Sequence, residues 1–417
     1  MTRDARVRSL SMRSRRRFLT GLSALSSTPV LARAAQPAPL VIPEWMKIQG
    51  RSVADPAYGV PSRYQVATRI PFPGTPTSTS AASLTPLGEL HGIITPNGLV
   101  FERHHGGVPD IVPEQHRLAV HGLVRQPSVF TMEDLMRFPS VSRIHFLECS
   151  GNTLGEWKGP TGKTVQYTHG LLSCCEWTGV LLSTVLEEVG ALPEAKWILA
   201  EGADAAAMTR SIPIEKAYED AMLVYAQNGE LLRPEQGFPL RLFLPGFEGN
   251  MSVKWLRRLK LGAEPFMTRE ETAKYTDLMP DGRARQFSFL MEAKSVILRP
   301  SGGQQLARHG FHQISGFAWS GHGRIRGVEV TIDGGRSWRS ARLHEPALPR
   351  CLTRFDYNWN WDGSPVLLTS RAIDETGYVQ PTREALVAAR GVNSYYHYNG
   401  IQTWKVSANG EVSNAVA

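Results

Sequence analysis

From Lys294 onward the chain reads as short strands separated by turn residues, and this restricts its fold more than any other feature. Ile314 to Trp319 and Ile325 to Ile332 read as strands. Asp333-Gly334-Gly335 turns the chain into Trp338 to Leu343, and Val366 to Ile373 follows. Such strands bury their apolar sides by packing two sheets face to face, so residues 291–410 are expected to form an all-β sandwich of immunoglobulin type. A single cysteine, Cys351, lies in that stretch, so the inter-sheet disulfide of antibody domains is not expected.

Before about residue 265 strands and helices mix. His116 to Val124 alternates as a strand, and Thr131 and Asp134 have the spacing of a capping box. Val180 to Val189 predicts a helix, with Leu181, Leu182, Val185, Leu186 and Val189 on one face and Gly190 to stop it. Met222 to Gln227, Asn228-Gly229 and Glu230 to Leu232 predict a hairpin, and Pro239 to Pro245 a strand. We therefore expect an α+β domain over residues 85–265 and a charged, loop-like linker over 266–290. Residues 36–84, rich in Pro, Ser and Thr, are expected to be an irregular covering segment. A chain of 417 residues suits two domains.

The formal net charge of +8 suggests nucleic acid, but its location argues against that partner. Residues 1–35 carry eight arginines and one aspartate, a net +7, which leaves +1 for the rest. Arg15-Arg16-Arg17-Phe18-Leu19, a weakly apolar stretch from Gly21 to Leu31 and Ala32-Arg33-Ala34 have the order of a twin-arginine export signal. The apolar part is too short to remain as a membrane span, so a periplasmic protein is expected.

Ile144 to Leu147 is an apolar run that stops at Cys149, where Ser150-Gly151-Asn152 turns the chain. A lone cysteine so placed is most often an inert core side chain, but at a strand end it can also present its sulfur to a cavity. Arg103, His104 and His105 offer a cation and two imidazoles beside Gly106-Gly107. Arg241, inside an apolar strand, needs an anionic partner such as a phosphate. No Cys-x-x-Cys-His occurs, so no haem is expected in this chain, and no zinc motif is present.

Five motifs occur in order: Phe101-x-Arg103-x-His105, Leu147-x-Cys149-x-Gly151-Asn152, Gly170-x-x-Ser173-x-x-x-Trp177-x-Gly179, Gly237-Phe238-Pro239-x-Arg241 and Val253-Lys254-Trp255. This series resembles the sulfite-oxidase-type molybdenum enzymes over roughly residues 85–405. The resemblance implies molybdenum with molybdopterin as cofactor, Cys149 as the thiolate on the metal, and Arg103 facing the substrate. It implies that His105, Arg241, Val253, Lys254 and Trp255 hold the pterin and its phosphate. Asp204 is a looser match to a pterin-binding aspartate. His104 stands where an asparagine is usual, and Gln236 where the animal enzymes have a histidine. The trailing domain resembles that family's dimerisation domain, implying a homodimer core.

The chain departs from sulfite oxidases after the cysteine, where Thr153 and Leu154 replace arginines that help bind a small dianion. The tail Asn393 to Trp404 resembles the molybdenum subunits of sulfane dehydrogenases. That likeness implies a periplasmic oxidoreductase taking carrier-protein-bound sulfane sulfur toward sulfonate, with oxygen from water and electrons passed to a c-type cytochrome partner. A sulfite dehydrogenase and a non-catalytic scaffold subunit are the alternatives.

Overall fold

The computed structural model describes residues 43–49, 58–72, 77 and 79–416. The leader expected at residues 1–35 lies outside them. Contacts divide the chain into two units, residues 1–63 and 64–417. In the first, a single 3-10 turn is described, Glu44–Met46.

β1 (Ile70–Pro71), β2 (Ala81–Leu84) and β3 (Glu102–His104) form a small antiparallel sheet. Residues 36–84 are therefore not wholly irregular, because β2 pairs with β3 from Ala81–His104 to Ser83–Glu102. β4 (Leu118–Gly122) and β5 (Ser128–Phe130) lead into α1 (Met132–Met136). There Thr131 and Asp134 make the reciprocal capping box that their spacing predicts.

β6 (Ser140–Glu148) runs antiparallel to β7 (Leu172–Leu181) along its whole length, with α2 (Val165–His169) between them. α3 (Leu182–Val189) starts later than predicted, since Val180 and Leu181 still pair with Leu223 and Met222. Gly190 ends the helix at φ +63°. β8 (Trp197–Gly202), β9 (Thr209–Pro213), α4 (Ile214–Glu219), β10 (Met222–Gln227), β11 (Glu230–Leu231), β12 (Arg241–Phe243) and β13 (Leu256–Gly262) follow. They complete two five-stranded sheets: one has the order β11-β10-β7-β6 with β12 also on β10, the other β5-β4-β13-β8-β9. The β10–β11 turn is Asn228-Gly229, both at positive φ, as a tight hairpin requires.

Residues 266–290 are more than a linker. Glu270–Lys274 forms a π-turn, and β14 (Asp277–Leu278) pairs with β15 (Ala284–Arg285). Glu270, Glu271 and Asp277 are buried there, each bonded to an arginine.

The C-terminal part is a two-sheet sandwich. β16 (Lys294–Arg299), β17 (Gly310–Trp319), β18 (Ile325–Thr331), β19 (Arg339–Ser340), β20 (Arg342–Leu343), β21 (Thr353–Trp361), β22 (Val366–Asp374), β23 (Thr403–Val406) and β24 (Val412–Ala415) divide between the sheets β16-β17-β21-β20 and β19-β18-β22-β23-β24. One helix interrupts the all-β pattern, α5 (Arg383–Arg390), capped by Thr382. The core of the sandwich is continuous with the first sheets: Phe146, Leu172 and Cys174 belong to the same buried cluster as Phe317, Trp319 and Trp404. Among the described residues no helix is long and apolar enough to cross a membrane.

Candidate active site

β6 ends at Glu148, and the next residue, Cys149, directs its sulfur into a cavity. The turn that follows is held by one side chain. Asn152 donates to Glu148 Oε1 at 2.9 Å and accepts from the Leu171 amide at 3.1 Å, so it ties the end of β6 to the start of β7. Thr153 is forced to φ +69° beside it. Gly249 packs against the same strand end, where a Cβ would lie 2.8 Å from the Glu148 carbonyl oxygen. Burial pushes the Cys149 thiol up to about 11, so at neutral pH it gives up its proton only to a cation that replaces it.

The cavity measures about 730 Å³, its open mouth included. Arg103, His104, His105, Cys149, Asp204, Gln236, Arg241, Val253, Lys254 and Trp255 all line it, so every candidate catalytic or cofactor-binding residue is brought to one place. They come from β3 and the residue after it, the end of β6, the β8–β9 loop, the turn before β12, β12 itself, and the segment entering β13. Trp255, on the cavity wall, sits in the left-handed region at φ +52°.

The most informative group is Arg241. It is buried in β12 over the ring of Trp177, 5.4 Å from its centroid. Its Nη1 donates to the Gln236 carbonyl at 3.1 Å and to Gln236 Oε1 at 3.3 Å, while its Nε is buried with no partner. No carboxylate pairs with it among the described residues. Burial lowers its pKa only to about 10, which leaves it cationic at neutral pH. An orphaned, buried guanidinium of this kind fits an anionic ligand such as a phosphate.

Lys254 reaches the same cavity. Gly237, at φ +111°, lets the chain pass where a Cβ would lie 3.1 Å from the Lys254 Cβ. Both histidines are held neutral. Burial first, and then neighbouring cations, lower His104 to about 3 and His105 to about 4. His105 makes no protein hydrogen bond among the described residues and stands open to the cavity. A soft thiolate donor, a free imidazole and an unpaired buried guanidinium form a donor set that fits a metal carried by a phosphorylated organic group.

Beyond Cys149 the cavity opens into a wider cleft of about 1590 Å³, lined by Arg103, Leu154, Arg269, Lys274, Tyr275, Tyr395 and Tyr396 among others. Tyr275 was not apparent from sequence, because it lies in the stretch read as a linker. Buried Arg210 stacks 4.7 Å from its ring centre while bonded to Glu271 at 2.7 Å and Glu248 at 3.0 Å. Tyr275, Tyr396 and Tyr395 then follow one another at 5.1 and 4.9 Å.

Comparison with known proteins accords with this geometry. Residues 105–270 match the family described as an oxidoreductase molybdopterin-binding domain, and residues 285–404 the molybdenum-cofactor oxidoreductase dimerisation domain. Sulfite oxidase of Gallus gallus is 30% identical over 375 residues, which cover 82% of this chain and 78% of that protein. The chain belongs to the sulfite oxidase family.

Within the sulfite oxidase family, the chain spans 60% of the mitochondrial sulfite oxidase of Mus musculus and 33% of an NADH nitrate reductase of Brassica napus, at 30% and 33% identity. The crystal structure of the sulfane dehydrogenase SoxCD from Paracoccus pantotrophus is similar to this one with a TM-score of 0.88 and 49% identity. That match covers 92% of this chain and all of the other. The α+β domain followed by an all-β dimerisation domain is the architecture of this family.

Proposed function

We propose that the chain is a periplasmic molybdenum oxidoreductase that oxidises sulfane sulfur on a carrier protein toward sulfonate and passes the electrons to a c-type cytochrome partner. The observation that carries this reading is the place of Cys149 where two spaces meet. One is the cavity with Arg241 and Lys254; the other, which shares Arg103, His105 and Tyr275 with it, is the wider cleft with Leu154, Tyr395 and Tyr396. The likeness to a sulfane dehydrogenase at 49% identity supports it.

In this reading the Cys149 thiolate holds the metal, and Arg241 and His105 hold the molybdopterin. When bound, that cofactor supplies oxygen-atom transfer, one oxygen of water and two electrons at a time. A terminal sulfane becomes a sulfonate by R–S–S⁻ + 3 H2O → R–S–SO3⁻ + 6 H⁺ + 6 e⁻, three turns in all. Arg103, at the boundary of both spaces, holds the anionic end of the substrate as oxygens accumulate on it. Leu154 offers an apolar wall in the turn after Cys149, where sulfite oxidases carry arginine, while Arg269 and Lys274 lie elsewhere on the same cleft. The cleft is wide enough for a peptide-borne sulfur rather than a free ion alone. The dimerisation domain supports a homodimer core within a larger assembly, and the Arg15-Arg16 leader supports twin-arginine export of folded protein.

The test is metal analysis of exported protein together with steady-state kinetics. We expect about one molybdenum per chain, as one cysteine ligand implies, and a kcat/KM for a persulfide-bearing carrier that exceeds that for free sulfite. Metal-free exported protein supports the scaffold alternative, and a preference for sulfite supports a sulfite dehydrogenase.

A further inference from the structure

Glu102 and His104 are two residues apart on β3, so their side chains leave the strand on the same face. His104 Nε2 lies 2.9 Å from Glu102 Oε2, and its Nδ1 lies 3.0 Å from Lys254 Nζ. Glu102 is in turn bonded to Arg69, which also approaches Glu235 at 3.4 Å. Lys254 Nζ donates to the carbonyl oxygens of Arg103 at 3.2 Å and Glu235 at 3.0 Å.

Two placements of protons satisfy every contact, and the one with an imidazolium donating to a neutral amine is disfavoured because it leaves the shared proton on the weaker base, at ordinary values of about 6.5 against 10.4. A carboxylate paired with a guanidinium only accepts, so the hydrogen on His104 sits on Nε2. A neutral imidazole has one such hydrogen, which leaves a lone pair at Nδ1. Lys254 must therefore donate there as well as to the two carbonyls, and three donated hydrogens make it an ammonium. No hydrogen of Lys254 remains for a ligand. It supplies the cavity with fixed positive charge instead of a hydrogen bond.

We propose that Glu102 is a positioning residue which, by fixing the tautomer of His104, keeps Lys254 protonated as a stationary counter-charge for the anionic end of the cofactor. The proposal rests on the reading of the cavity as a cofactor site. Its force comes from the surroundings. Burial, the largest influence, pulls Lys254 well below the usual lysine value, Arg241 and Arg103 lower it further, and Asp204 and Glu235 oppose them. If the Nδ1–H tautomer became available, it would point a hydrogen at Lys254, and the buried amine would lose its proton.

The experiment uses the loaded full-length protein with 15N-labelled histidine, the His104 signals being assigned through H104N. Wild type is expected to show the shift pattern of an imidazole protonated at Nε2 alone. Glu102→Gln can either accept from or donate to Nε2, so an Nδ1–H population should appear. Loss of pterin on dilution should then quicken by roughly tenfold or more, the usual effect of removing an outer-shell carboxylate. Asparagine cannot relay the constraint, so in the H104N background the same substitution should change the loss rate less than about twofold. A wild-type His104 protonated at Nδ1, or an equal acceleration in both backgrounds, overturns the proposal. Wild-type protein found without pterin would refute the cofactor reading separately, while the His104 spectrum would still decide the tautomer.

Discussion

Lys294→Met should destabilise the protein by about 3–4 kcal/mol at pH 7 and by much less at pH 5. Lys294 opens the sandwich at β16 and meets Glu148, the residue before Cys149, at 3.0 Å, with side chains 1% and 0% exposed. Glu148 also accepts from Trp319 Nε1 at 2.6 Å and Asn152 Nδ2 at 2.9 Å. Methionine fills the lysine stem but leaves the carboxylate with two neutral donors and no cation. Breaking one side of a buried pair generally costs about 3–5 kcal/mol. A stranded carboxylate can also take up a proton, at about 1.36 kcal/mol for each pH unit above the ordinary carboxyl range of about 4.3, which caps the loss near 3.7 kcal/mol at pH 7. The folded variant then binds a proton that the unfolded chain releases, so its stability falls as pH rises from about 4 and recovers as pH falls. Urea unfolding of cofactor-free protein at pH 7 and pH 5, followed by tryptophan fluorescence and referred to wild type at each pH, measures this. Adding Glu148→Gln should restore at least about half of the loss, since the amide still accepts from Asn152 or Trp319. A loss below about 1 kcal/mol at pH 7, an equal loss at both pH values, or a double variant no better than the single would refute the reasoning.

Two further outcomes are expected. Cys149→Ser should abolish turnover while leaving folded, pterin-containing protein, because an alcohol is a harder and weaker donor than a thiolate; activity and pterin content measured on one sample check it. Leu154→Arg should raise the ratio of kcat/KM for sulfite to that for a sulfane carrier by about tenfold or more, the worth of one charge-assisted contact. An unchanged ratio would remove Leu154 from substrate selection.

What the sequence disclosed was local, or carried by motifs in order. The Thr131–Asp134 cap and the Asn228-Gly229 hairpin depend on neighbours within four residues, and both stand as their spacing predicts. Of the ten cavity residues, Cys149 included, seven were legible because the ordered motifs name them, although nothing local brings β3 and β13 together. Distant partners were not legible. The start of α3 was read too early because the strand partners of Val180 and Leu181 lie some forty residues away, at Leu223 and Met222. Tyr275 and Glu271 look like part of a charged loop until Arg210, from β9, is seen to bind them. α5 escaped notice because its only buried apolar side chain is Leu386. The Glu102–His104 pair was not singled out from the sequence. Its meaning depends on Lys254, 150 residues away.

The buried cluster that runs from Phe146 and Cys174 into Trp319 and Trp404 has a mechanical consequence. Two bodies that share one core have no plane along which to slide, and Cys174 and Cys351 already touch, sulfur to sulfur, at 3.4 Å across that join. Catalysis in such a body cannot be gated by swinging one half away from the other. On the proposed function, the sulfur carrier and the electron acceptor must do the travelling themselves, and meet a cleft that stays where the fold has set it.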